Sequence, residues 1–196
     1  LTMTRKRKSD ESAGTKKAIL DATQQIMCNE GYAAVSSRRV AEVAGLKSQL
    51  VHYHFGTMDN LMLALFRRAE EDYLARQVRS LTSTSPLRSL WEESLQQADA
   101  RLTIEFIALA RHSEAIGNEV RRANETTRNI HSMIIAGALE RANIQSAPAP
   151  EVVAFLIAAI SRTLGTEEAL GTSLAHDAVH AFLESLLNKL EPASAP

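Results

Sequence analysis

The sequence predicts an all-α protein of about nine helices, divided into a small N-terminal three-helix domain and a larger helical body. Three observations carry this. Apolar residues recur at helical spacing along nearly the whole chain, and no convincing two-residue alternation appears. Apolar residues make up 45% of the 196 and aromatics only 5%, a composition suited to helices packed by Leu, Ile, Val and Ala. Near the N-terminus, two short helical segments flank Ala44-Gly45-Leu46, where longer helices would otherwise run on.

In chain order, residues 1–14 read as a basic flexible arm carrying Arg5-Lys6-Arg7-Lys8. A first helix follows from Thr15 to Asn29, with Ile19, Ala22, Thr23, Ile26 and Met27 on one face and Gly31 stopping it. Cys28 points away from that face and reads as an exposed thiol. Ser36 is placed to cap a short helix from Ser37 to Val43, and Lys47 to Phe55 forms a third helix. Gly56-Thr57 breaks it, and Thr57 can cap a long fourth helix from Met58 to about Arg79. Pro86 suits a first helical turn and opens a helix through Trp91 and Leu95. Another helix spans Arg101 to Ala110. A longer one from Glu114 to Ala142 carries Ile116, Val120, Ala123, Thr127, Ile130 and Ile134 as one stripe. Val152 to about Leu164 is apolar almost all round, which predicts a central, enclosed helix. The last helix, Leu174 to Leu190, has a broad apolar stripe, and 192–196 reads as a disordered tail.

The longest unbroken apolar run, Val152 to Ile160, falls short of the roughly 20 residues that span a bilayer. No apolar stretch follows the basic arm to make a secretory signal, so the cytoplasm is the expected compartment. A single cysteine excludes an internal disulfide and a cysteine-cluster metal site. Net charge is -1, but residues 1–60 carry a net +3 and the remainder a net -4. A basic beginning on an acidic body suits a partner such as nucleic acid at that end only.

Two short helices joined by a turn containing Gly are the pattern of a helix-turn-helix, here Ser37 to Phe55. Ala41 is small where the helices approach, and Gly45 can take the positive φ of the turn. Val40, Val43, Leu46, Val51 and Phe55 supply a miniature core with the first helix as its lid. With Val51 and Phe55 inward, helical geometry turns Gln49, His52 and Tyr53 outward, flanked by Ser48 and Leu50. Those side chains can do major-groove chemistry: the Gln49 amide suits adenine, Ser48 and His52 can donate or accept, and Leu50 can meet a thymine methyl. Tyr53 is better placed for a phosphate. Lys47 sits at a helix N-terminus, against the macrodipole, a conflict that a phosphate alongside would resolve.

The stretch Val40-Ala-Glu-Val-Ala-Gly-Leu-Lys-Ser-Gln-Leu-Val-His-Tyr-His-Phe55, with Gly31-Tyr32 before it and Asp59-Asn60-Leu61 after it, resembles the tetracycline-repressor (TetR) family over about residues 15–63. The resemblance implies a DNA-binding domain at 15–57 and a helical effector-binding and dimerising domain at 58–191. It implies a homodimeric transcriptional regulator, expected to be a repressor released from a palindromic operator by a small-molecule effector, with no cofactor. Carried over by position, Ser37 would meet a phosphate, and Arg38 a base or the backbone. Ser48, Gln49, His52 and Tyr53 would line the groove. His54 sits where family members reach the backbone, at the margin of the exposed arc. Two positions depart from the family pattern: residue 52 is His where Tyr is usual, and residue 58 is Met where a phosphate-contacting Lys is usual. The arm Arg5 to Lys8 could compensate for the latter.

For the body, the resemblance puts dimer contacts on the last two long helices, at Val179, Phe182, Leu183, Leu186 and Leu190. Trp91, Phe106, His112 and Met133, aromatic or polar among apolar neighbours, are candidates for an effector pocket. His176, His180 and Glu184 share a face but read as polar edge residues rather than a metal site. No nucleophile elbow, phosphate loop or zinc-protease helix is present, so no enzyme is expected. The rival reading is a helical interaction or ligand-binding protein that keeps the fold without reading DNA.

Overall fold

The computed structural model describes residues 2–95, 100–144 and 148–191, with side chains from Glu11 onward. Within them lie nine α-helices and one 3-10 turn, and no strand. The helices are α1 (Thr2–Glu30), α2 (Ser37–Ala44), α3 (Ser48–Phe55), α4 (Met58–Leu81), α5 (Pro86–Leu95), α6 (Ala100–Ala110), α7 (Glu114–Arg141), α8 (Pro150–Ala169) and α9 (His176–Leu190), with the 3-10 turn at Tyr32–Ala34. Their ends fall where backbone chemistry sets them. Pro86 and Pro150 each stand in a first turn, where no N–H is needed. Thr57 Oγ1 accepts from the Asn60 N–H at 3.1 Å and so caps α4.

Three sequence-based expectations are corrected. The first helix begins at Thr2 and not at Thr15. Thr15 Oγ1 donates to the Glu11 carbonyl one turn back, a bond made inside a helix and not at its start. The side chains of Arg5 to Lys8 lie outside the described residues, as does the 192–196 tail. Cys28 is half-buried against the Met27 cluster instead of exposed. And α8 is not enclosed: Ala154, Ser161 and Leu164 are buried, while Val152, Phe155 and Leu156 remain exposed. One face of an apolar helix is enough to seal the core of this chain, and the other is left over.

The chain divides into two units, residues 1–69 with 101–120, and residues 70–100 with 121–196. In the first, Ile19, Ala22, Ile26, Val40, Ala41, Val51 and Leu61 form one core cluster. Met27, Met62, Leu65, Leu102, Phe106 and Ile116 form another. Leu20 and Val35 pack against both. Arg68 on α4 reaches back to α1, donating to Asp21 at 2.6 Å and to Gln24 at 2.9 Å. In the second unit, Leu87, Leu90 and Trp91 of α5 pack with Ile134, Ile135 and Ala138 of α7, Ala154 and Leu164 of α8, and Leu187 of α9. Among the described residues, no helix is long and apolar enough to cross a membrane.

Candidate nucleic-acid interface

The angle between α2 and α3 is fixed by a few local bonds. Ser36 Oγ accepts from the Arg39 N–H at 3.2 Å and starts α2. At its other end Gly45 adopts the left-handed conformation, φ 67° and ψ 32°. Its N–H donates to Glu42 O, and the Leu46 N–H donates to Ala41 O at 2.8 Å. This pair of bonds is the Schellman arrangement, and it needs φ > 0, which glycine adopts without a Cβ penalty. The chain then turns directly into α3. Val51 is 1% exposed and seats α3 against Val40, Ala41 and the α1 residues Ile19, Ala22 and Ile26.

That seating decides what α3 shows. Lys47, Ser48, Gln49, His52 and Tyr53 are exposed, Tyr53 at 78%. Leu50 is half-buried, and so is His54, whose ring meets the edge of Tyr53 at 5.0 Å. On α2, Arg38 is exposed and Ser37 half-buried. Lys47 stands at the N-cap of α3 with its side chain making no capping bond, so the first N–H groups of the helix have no side-chain acceptor. Met58 packs against the core cluster of α1 to α4. The apolar residue at a position where Lys is usual is therefore spent on packing.

Two details were not legible in the sequence. His52 Nδ1 lies 3.1 Å from the Gly56 carbonyl. A carbonyl only accepts, so Nδ1 carries the proton, and a neutral His52 ring keeps Nε2 as an acceptor. The neighbouring Arg39 is not available to a partner in the same way. Its guanidinium is gripped by Glu30 at 2.8 Å and Glu42 at 3.1 Å. These bonds raise its pKa and hold the Glu30 carboxyl below its usual range. Of two adjacent arginines, only Arg38 is left outward.

A further link ties α6 to this domain. The Tyr32 N–H donates to Glu105 Oε2 at 2.7 Å, just after Gly31 has turned the chain at φ 85°. The Tyr32 ring lies 6.5 Å from that of His112.

The residues expected around an effector divide between the two units. Phe106 is in the core of the first unit, and His112 is exposed beside Tyr32. Trp91 is in the core of the second unit, 6.0 Å from the His180 ring, and Met133 is 61% exposed. Helical spacing shows which residues share a face but not which face meets which. Of the residues expected at a dimer contact, Val179, Leu183 and Leu190 pack on the core of their own unit. Phe182 and Leu186 are 62% and 38% exposed. A cleft of about 500 Å³ runs between α8 and α9, lined by Ile160, Leu164, Leu174, Val179, Phe182 and Leu183 among others. At its end His176 Nε2 lies 2.8 Å from Glu167, and among the described residues no metal-binding cluster forms.

Residues 19–65 match the family model described as "Bacterial regulatory proteins, tetR family". The chain is 31% identical over 114 residues to the HTH-type transcriptional regulator BetI of Rhizobium meliloti (strain 1021). That match covers 55% of each, so the chain spans little more than half the length of this curated relative. Among solved structures it is similar to a TetR transcription regulator from Haloarcula marismortui, with a TM-score of 0.69 at 20% identity, covering 91% of this chain and 92% of that one. It is also similar to a transcriptional regulator from Rhodococcus sp. Rha1, with a TM-score of 0.66 at 21% identity, covering 90% and 91%. At such identities the structural likeness speaks for the fold.

Proposed function

With residues 19–65 a TetR-family domain, we propose that the chain is a sequence-specific DNA-binding transcriptional regulator, acting as a homodimer on a palindromic operator and released from it by a small-molecule effector. The single observation that supports this most is the two-sidedness of α3. Val51 is sealed in the core while Gln49, His52 and Tyr53 stand outward, exposed, with nothing among the described residues covering them. A helix presented this way fits the major groove.

In this reading Gln49 pairs with a base edge, adenine being the best match for its amide, and Ser48 and Leu50 contribute at the flanks. His52, with Nδ1 committed to Gly56, offers Nε2 to a donor such as an exocyclic amine. Lys47, Ser37 and the uncapped N-terminus of α3 meet phosphates. Arg38, Tyr53 and His54 hold the backbone alongside. One such domain buries little surface, so two act together, their reading helices about 34–36 Å apart or a multiple of that.

The dimer contact falls on the exposed apolar side of α8 and α9. Val152, Phe155 and Leu156 on one helix and Phe182 and Leu186 on the other are more apolar surface than a lone chain keeps in water without a use. An effector that binds one geometry of the body better shifts the population of DNA-competent dimers. The compartment is the one where DNA lies, and no catalytic step is involved.

Selection of sites from random duplexes with the purified chain tests this. The expected result is an enriched palindrome whose half-sites are one helical turn apart. Gln49→Ala is expected to relax preference at one position in each half-site, costing about 1–3 kcal/mol of discrimination there. No enriched sequence, with the chain folded and dimeric, would leave a helical binding protein that does not read DNA.

A further inference from the structure

Inside the second unit, α4, α5 and α7 enclose a cluster of polar side chains that packing alone does not require. Tyr73 and Gln77, one turn apart on α4, are 7% and 0% exposed, and His131 on α7 is 2% exposed. His131 Nε2 lies 3.0 Å from the Tyr73 hydroxyl and 3.1 Å from Gln77 Oε1. Since an amide oxygen only accepts, Nε2 carries the proton and donates to Gln77. Ser94, also buried, donates to the Leu90 carbonyl at 2.7 Å and borders Tyr73. Burial keeps the ring of His131 neutral, its pKa pushed down to about 4 with help from the nearby Arg128 charge.

The hydrogen-bond inventory of this cluster does not close. Gln77 Nε2 is buried with no partner, and so are Arg76 Nη2 and Arg128 Nη1. Arg76 lies over the Tyr73 ring, 5.7 Å from its centre, and 3.4 Å from Glu93. The Arg128 guanidinium, half-buried, rests on the Phe155 ring at 4.7 Å, and no carboxylate among the described residues pairs with it. One acceptor is also unspent, Glu70 Oε1, since Glu93 Oε2 faces Arg76 Nε. Glu70 already holds Arg122 at 2.6 Å. The balance is an excess of donors, with one cation, Arg128, that meets no carboxylate among the described residues. Native proteins leave few buried polar groups unpaired, and those that remain call for a ligand, ion or water.

We infer that the Arg76–Gln77–Arg128 donor set around Tyr73 and His131 is the effector site, and that its ligand is a small organic carboxylate. A carboxylate supplies acceptor lone pairs and one negative charge, which complete both deficits at once: the Gln77 amide and the Arg76 and Arg128 forks donate to its oxygens. A neutral amide would satisfy donors but leave the charge of Arg128. An amine would add donors to a site already rich in them. The inference rests on the proposed effector-responsive reading for its biological meaning, but the site binds, or fails to bind, whether or not α3 reads DNA.

The test therefore uses the whole 196-residue chain without DNA. Carboxylates from butyrate to decanoate and benzoate, with their matched primary amides and amines, are titrated by calorimetry and followed by thermal unfolding. Carboxylates are expected to bind and to raise the Tm, and their amides and amines to do so at least about tenfold more weakly. Gln77→Glu, isosteric but anionic, is expected to weaken carboxylate binding by about tenfold or more, and Arg128→Gln likewise. The His131 ring resonances, assigned with His131→Asn, are expected to titrate at higher pH with a carboxylate bound, because an anion nearby favours the imidazolium. Tighter binding by amines or amides overturns the inference. So does a panel without binders, or carboxylate binding that Gln77→Glu and Arg128→Gln leave unchanged while the His131 titration stays where it was.

Discussion

Lys47 begins α3 with an exposed cation and no cap, where a short polar acceptor would serve the helix better. In the proposed complex a phosphate alongside offsets that local cost. Lys47→Ala is expected to reduce the steepness of log binding constant against log salt by roughly 0.9, one released counterion, while Gln49→Ala leaves that slope in place. Binding isotherms over a series of salt concentrations read both. His131 makes a prediction of a different kind. Its folded pKa lies near 4, below the ordinary value of about 6.5, so between these values the unfolded chain holds the extra proton. Stability is thus complete above about pH 6.5 and falls as the pH drops toward 4, with a contribution from this residue approaching about 1.4 kcal/mol per pH unit. Around it, Tyr73, whose own pKa burial pushes up to about 12, stays neutral. Denaturant melts from pH 7 to 4 are expected to be flatter in that window for His131→Asn than for the parent chain.

At the scale of elements, the helix-turn-helix is held by bonds short in sequence: Ser36 to Arg39, Gly45 to Glu42, and Leu46 to Ala41. Ser36→Ala removes the acceptor at the start of α2 and is expected to cost about 1 kcal/mol, seen as a lower denaturation midpoint with an unchanged m-value. This element was legible in the sequence because each instruction is local. The end of α1 at Gly31, the turn at Gly45 and the inward face of Val40 and Val51 all follow from spacing and residue type. Where expectation and structure differ, the reason is non-local or ambiguous. Thr15 has the chemistry of a cap and is used within a helix, and α8 has the pattern of an enclosed helix but only one neighbouring core to face.

For the whole molecule, the proposed dimer contact lies on the exposed apolar side of α8 and α9. A two-fold contact uses each residue twice, so a charge placed there is felt from both sides. Phe182→Glu is expected to convert the proposed dimer to monomers at micromolar concentration, read by sedimentation velocity, with helical content unchanged. The proposed operator affinity is expected to fall with it. A dimer that persists in this variant would move the contact off α9.

By itself the sequence determined a helical chain whose basic N-terminal segment carries a helix-turn-helix, and the side chains its second helix turns outward, because a turn glycine and helical periodicity act over a few residues. It did not reveal the buried Tyr73–Gln77–His131 cluster. Glu70, Tyr73, Gln77 and Ser80 do mark a polar face on α4, but such a face ordinarily points to water. Only the tertiary structure decided that it is enclosed, by bringing His131 against Tyr73 across 58 residues of chain. Contacts of that range depend on which helix faces meet, and a one-dimensional pattern leaves that choice open.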